Sequence, residues 1–193
     1  MVLKKNIMLK IFILFNSLLL LGGCAYQYTN DYNSEIEPVK KINLNVKSFE
    51  INKDSLDNIE LDDFLQNEIN KKVLKKLEAW VLKKFSIEGK ENKAFLYLLK
   101  INTSLIEKRK NKKPIVSIIK DGKEVYKIFL NFDLSLTTND SLIKTLKISS
   151  NIDFVLLNKY SITQRDKVIN YNVNKLIKLI DQKVTSQLHK KTF

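Results

Sequence analysis

The chain has 193 residues, with 34 Lys and Arg against 21 Asp and Glu for a net charge of +13, and only one His, one Cys and four Gly. One Cys and one His exclude a Cys/His zinc cluster, a disulfide within the chain and a haem-attachment motif, leaving an all-carboxylate set as the only route to a metal. Two of the glycines, Gly22 and Gly23, lie near the N-terminus, so Gly89 and Gly122 are too sparse for a phosphate-cradling loop, and a catalytic triad would depend on His189 close to the C-terminal end.

Residues Met1 to Lys10 carry Lys4, Lys5 and Lys10, and the first acidic residue is Asp31. Ile11 to Leu21 is apolar except for Asn16 and Ser17. That stretch is shorter than the roughly 20 residues of a membrane span, and a basic segment before it makes it a secretory signal. It ends in Leu21-Gly22-Gly23-Cys24, which resembles the lipobox of bacterial lipoproteins. The resemblance implies that residues 1–23 leave as a signal peptide and that Cys24 becomes a lipidated N-terminus, its acyl chains (palmitate among them) anchoring the protein in a membrane. Each buried methylene contributes about 0.8 kcal/mol. Ala25, where an Asp would signal retention, implies the periplasmic face of the outer membrane. Losing Lys4, Lys5 and Lys10 lowers +13 by three, to +10 for residues 24–193.

Residues 24–41 form a lipidated tether: they are polar, contain Pro38 and show no regular period. Tyr26, Tyr28 and Tyr32 suit the lipid interface, where aromatic rings are favoured, but equally fit a flexible linker. A single domain over residues 42–193 follows. Ile42, Leu44 and Val46 alternate, and the phase then slips to Phe49 and Ile51, which predicts one strand with a bulge near Lys47 and Ser48. A helix follows, with Asp57 and Glu60 as a capping box, Asp62 and Asp63 in its first turn, Lys83 and Lys84 in its last, and Gly89 just beyond. Its apolar stripe is Leu61, Leu65, Ile69, Val73, Leu77 and Trp80, the last read as a core residue.

Three long strands come next. Phe95, Tyr97, Leu99, Ile101 and Leu105 are assigned to one face of the first, and Tyr126 through Leu136 at even positions to one face of the second. Leu142, Leu146, Ile148, Ile152, Phe154 and Leu156 do the same in the third. The opposite side carries Asn131, Asp133, Ser135, Lys147, Ser149, Asn151 and Asp153, which predicts a sheet covered on one face and wet on the other. A last helix begins near Thr163, with Asp166 completing a capping-box pattern, and bears the stripe Ile169, Val173, Leu176, Ile177, Ile180, Val184 and Leu188. The predicted fold is α+β: a two-layer sandwich of an antiparallel four-stranded sheet with two helices on one face, in the order β-α-β-β-β-α.

If Leu136 faces Leu142 across a five-residue loop from Thr137 to Ser141, Asp133 faces Thr145 and Asp153 faces Val125. The two aspartates then stand about 26 Å apart, too far to share acid–base work. His189, in the last turn of a helix, suits the dipole better than catalysis.

Between the first two long strands lie Lys108, Arg109, Lys110, Asn111, Lys112, Lys113 and Pro114, then Ile115-Val116-Ser117-Ile118-Ile119, then the hairpin signal Asp121-Gly122. Lys108, Arg109, Lys110, Lys112 and Lys113 are the candidate contacts to anionic lipid headgroups or an acidic partner; a solvated connection with tucked isoleucines is the other reading. Only Arg109 and Arg165 are arginine, which argues against base-reading of nucleic acid. A lipobox followed by this element order resembles the small lipoprotein subunit of the lipopolysaccharide-assembly translocon and other small envelope lipoproteins. The resemblance implies a non-catalytic binding or scaffolding component without a cofactor, with an outer-membrane barrel, lipopolysaccharide or phospholipid as partner. A membrane-anchored periplasmic hydrolase is the alternative.

Overall fold

A helix set between two adjacent strands returns the chain to its starting end, so those strands must pair in parallel. The computed structural model, which describes residues 40–54, 56, 63–109, 122–138 and 141–190, follows that rule. Its elements are β1 (Ile42–Leu44), β2 (Ser48–Asn52), α1 (Phe64–Lys84), β3 (Phe85–Ile87), β4 (Lys93–Arg109), β5 (Lys123–Thr138), β6 (Ser141–Leu157) and α2 (Ile162–Lys190). The four-stranded sheet runs β2-β4-β5-β6, and β1 pairs separately with β3. β2 is parallel to β4, whereas β4, β5 and β6 are antiparallel, so the sheet is mixed and not the antiparallel one expected.

The expected bulged first strand is instead two strands in two sheets. Residues 45–47 break the ladder: Lys47 N donates to Glu91 O and Asn92 O, while β1 goes to Phe85–Ile87, a short strand absent from the predicted order. Gly89 serves this junction and not the helix end. A Cβ there would lie closer than 3.0 Å to the backbone of Asn45 and Val46.

α1 begins at Asp63, whose Oδ1 accepts from Leu65 N at 2.8 Å and from Gln66 N at 3.4 Å. Asp63 is therefore the cap and not a first-turn acid; Asp57, Glu60, Leu61 and Asp62 lie outside the described residues. α2 is capped one turn-half earlier than expected, by Ser161: Ser161 N donates to Gln164 Oε1 at 2.9 Å, and Gln164 N to Ser161 Oγ at 3.2 Å. Asp166 instead pairs with Lys72 of α1 at 2.8 Å.

Both helices lie on one face of the sheet, α1 against β4, α2 against β6, and each against the other. Ile69, Val73, Leu77 and Trp80 of α1 and the whole predicted stripe of α2 are buried against the even positions of β5 from Tyr126 to Leu134 and against Leu146, Ile148, Ile152, Phe154 and Leu156 of β6. Each such aliphatic side chain contributes about 1.5–3 kcal/mol. Trp80 sits edge-on to Phe85, with ring centroids 5.8 Å apart, and 6.4 Å from Phe132, inside the core as read from the sequence.

β4 departs from simple alternation. The ladder to β5 shifts between Leu98 and Lys100 and again between Leu105 and Glu107. Ala94, Leu96 and Leu98 face the helices before the first bulge, and Ile101 and Thr103 after it. Phe95 and Tyr97 therefore belong to the outer face, not the inner one to which they were assigned. Their rings stack with centroids 5.7 Å apart.

Candidate functional site

The site begins where β4 and β5 run on together toward the basic segment. Lys108 pairs with Glu124 and Arg109 with Lys123 in the ladder. Glu124 lies on the helix side, only 8% exposed, where a lone carboxylate would be costly. Three groups answer that cost. Arg165, in the first turn of α2, donates to Glu124 Oε2 at 2.7 Å; Lys108 Nζ lies 3.1 Å from Oε1; and the Tyr126 hydroxyl donates to Oε2 at 3.2 Å.

Burial alone would raise the Glu124 carboxyl, but the hydrogen bonds and charges of Arg165 and Lys108 outweigh it and hold the group below its ordinary 4.5. Burial, then the neighbouring Glu124 charge, pushes the Tyr126 hydroxyl well above its ordinary 10.0. Beside this cluster Lys123 Nζ stands 3.7 Å from Glu107 Oε2. The root of the segment is thus cross-linked by ion pairs to β4, β5 and α2.

Of the five candidate contacts, Lys108 is accounted for: although its side chain is 53% exposed, its ammonium is held by Glu124. Arg109 ends β4 opposite Lys123. Lys110, Lys112, Lys113, the Ile115–Ile119 run, Asp121 and Cys24 lie outside the described residues, as do the tether tyrosines.

The outer sheet face differs from the expected register. Thr138 pairs with Ser141 across a two-residue connection, so Asp133 faces Lys147 and Asp153 faces Lys127. The two aspartates are six positions apart, about 20 Å. Asp133 Oδ1 is buried without a hydrogen bond. Among the described residues no three His, Cys, Asp or Glu side chains gather to hold a metal, and no helix is long and apolar enough to cross a membrane.

A second polar cluster was not foreseen. Lys84 has no exposed surface; its Nζ lies 2.8 Å from Asp181 Oδ1 and donates to Thr185 Oγ1 at 2.7 Å. Trp80 Nε1 donates to the same Asp181 oxygen at 2.8 Å. The i, i+4 spacing of Trp80 with Lys84 and of Asp181 with Thr185, one pair per helix, was the available signal.

No protein-family model matches the chain, and no curated protein matches its sequence. Among solved structures it is similar to the minor lipoprotein from Acinetobacter baumannii, at 10% identity and a TM-score of 0.39, covering 75% of this chain and 96% of that one. Rare lipoprotein B from Shewanella oneidensis is similar at 12% identity and a TM-score of 0.34, with the same coverage of 75% and 96%. A putative neuraminyllactose-binding hemagglutinin homolog from Helicobacter pylori gives 11% identity and 0.39, over 82% of this chain and 96% of that one. Likeness at these scores is too loose to carry fold or function across.

Proposed function

We propose that the protein is a non-catalytic lipoprotein of the bacterial envelope, tethered through Cys24 and acting as a binding or scaffolding component in envelope assembly or in lipid or lipopolysaccharide transport. The observation that carries this reading is the run Leu21-Gly22-Gly23-Cys24 at the end of a short apolar segment with a basic start. Ala25 favours the outer membrane. The domain supplies a suitable scaffold: a sheet braced by two helices, with the root of the basic segment fastened by Glu124 to Arg165 and Lys108. Lys110, Lys112 and Lys113, which follow that root in the sequence, are the candidate contacts for anionic headgroups or an acidic face of a barrel protein.

The decisive experiment is incorporation of labelled palmitate in cells, with and without globomycin, for the native chain and for Cys24→Ser. Incorporation that depends on Cys24, and accumulation of the unprocessed form under globomycin, are the expected results. Palmitate incorporation by Cys24→Ser would overturn the anchor. Fractionation of the lipidated protein with the inner membrane would overturn the outer-membrane address.

A further inference from the structure

Among the described residues the sheet has two edges that no further strand covers, and they are built differently. β2 pairs only with Lys93–Tyr97 of β4, so among the described residues the remainder of β4 meets no strand on that side. That remainder is interrupted by both bulges. β6 forms the opposite edge; from Lys144 to Leu157 it pairs with β5 without a break, and it contains no proline. Bulges, prolines, short length and charged side chains are the usual guards that keep an edge from pairing with another chain; beyond the irregularity at Ile143, the stretch of β6 from Lys144 to Leu157 has none of the first three, and its outward charges, Lys147 and Asp153, are of opposite sign.

Two hydrogen bonds give the direction of its free main-chain groups. Asn158 N donates to Gly122 O at 2.9 Å, continuing the ladder, so the even-numbered residues of β6 turn their N–H and C=O toward β5. The odd-numbered residues turn theirs to the open side. Ser149 shows this: its carbonyl accepts from Lys183 Nζ of α2 at 2.6 Å. Thr145, Lys147, Ser149, Asn151, Asp153 and Val155 therefore offer a regular row of donors and acceptors to a further strand.

We infer that this row is occupied by β6 of a second copy of the chain, antiparallel, about a twofold axis at Ser150. In that register Lys147 of each copy faces Asp153 of the other. The outer row then reads Asp133, Lys147, and Asp153 and Lys127 of the second copy, because Asp133 faces Lys147 and Lys127 faces Asp153 within each sheet. Charge alternates across four strands, and the axis repeats the pattern. Ser149 faces Asn151, and on the helix side Ile148 faces Ile152 and Leu146 faces Phe154, so apolar meets apolar. Moving the axis to Ser149 sets Lys147 against Asn151 and Asp153 against Thr145; moving it to Asn151 sets them against Val155 and Ser149. Charge complementarity selects both the second copy and the axis. The exposed Lys183 ammonium lies in the way on the Ser149 carbonyl, and the Asn151 N–H of the second copy would replace it there.

The test uses the full-length chain in detergent, with its mass measured by light scattering corrected for bound detergent over a range of concentrations. The native chain is expected to be a dimer. Lys147→Asp and Asp153→Lys each set like charges against one another twice in their own homodimer, and each is expected to raise the dissociation constant about tenfold or more. In an equimolar mixture of the two, the introduced acid of one chain meets the introduced base of the other, and the native Asp153 of the first meets the native Lys147 of the second, so the dimer is expected to return. Asn151→Pro, which removes an N–H on the open side and none from the β5 ladder, is expected to give a folded monomer by circular dichroism and light scattering. A native chain that stays monomeric, variants that dimerise like the native chain, or a mixture no tighter than its components would overturn the inference.

Discussion

Lys84, fully buried at the C-terminal end of α1, is neutralised by Asp181 of α2 at 2.8 Å, yet Asp181 keeps 25% of its side chain exposed. The pair is thus unequal. Removing the acid strands a charge in the core, whereas removing the lysine leaves a carboxylate with Trp80 and water still at hand. Asp181→Ala is expected to cost about 3–4 kcal/mol, and Lys84→Met, which keeps most of the stem's packing, about 1–2 kcal/mol. Urea unfolding of the two variants measures the difference; equal losses would mean that the lysine ammonium reaches solvent.

The Glu124 cluster makes stability depend on pH at both ends. Because the folded protein holds the Glu124 carboxyl below 4.5, its contribution is present above that pH and is lost as the pH falls through the lowered value. Glu124→Gln should therefore be less stable than the native chain at pH 7, and the gap should narrow as the pH falls below 4.5. For Tyr126 the folded value is raised above 10.0, so the unfolded chain ionises first and stability falls as the pH rises beyond 10. Tyr126→Phe should flatten that alkaline limb relative to the native chain.

The basic segment can be probed without disturbing its root. Lys110→Glu, Lys112→Glu and Lys113→Glu together are expected to leave the unfolding midpoint within about 0.5 kcal/mol of native while weakening flotation with vesicles containing anionic lipid. Lys108→Glu sets a second acid against Glu124 and is expected to cost about 1 kcal/mol by itself. Undiminished flotation of the triple variant would show that the segment is a solvated connection.

The start of α2 distinguishes two caps that overlap in sequence. Ser161→Ala should lose about 1 kcal/mol, because Gln164 N loses its acceptor, whereas Thr163→Ala should change stability by less than about 0.5 kcal/mol. Thermal unfolding of the two variants separates them.

What could be read in the sequence was whatever a constant period encodes. The α2 stripe from Ile169 to Leu188 and the even positions of β5 from Tyr126 to Leu134 are buried as their spacing implies. What failed was what the period does not carry. The phase slip near Lys47 and Ser48 looked like a bulge within one strand because a break between two strands of different sheets leaves the same slip. β3 could not be separated from the end of α1, because Phe85, Ser86 and Ile87 directly follow Lys84. The β5–β6 register was misjudged by two residues, since the polar letters of Thr137 to Ser141 mark a turn without telling how many of them remain in the ladder. Of the site, the basic residues were visible but their tie to Glu124 was not. That tie joins β4, β5 and α2, and long-range pairing leaves no local spacing to find.

The bulge at Leu99 has a consequence for how this strand can change over time. A strand with a fixed period of two cannot gain or lose one residue without exchanging its solvent-facing and core-facing side chains from that point on. β4 already contains such an extra residue, and its amino acids beyond Leu99 are written in the shifted phase. Deleting Leu99, the residue the bulge leaves unpaired, would therefore join Leu98 to Lys100 in an unbroken ladder with Ile101 and Thr103 still toward the helices, whereas deleting a paired residue such as Ile101 would exchange the two faces from there on. Two chains with this architecture could share every buried position in space and still look unrelated when their β4 letters are laid side by side without a gap.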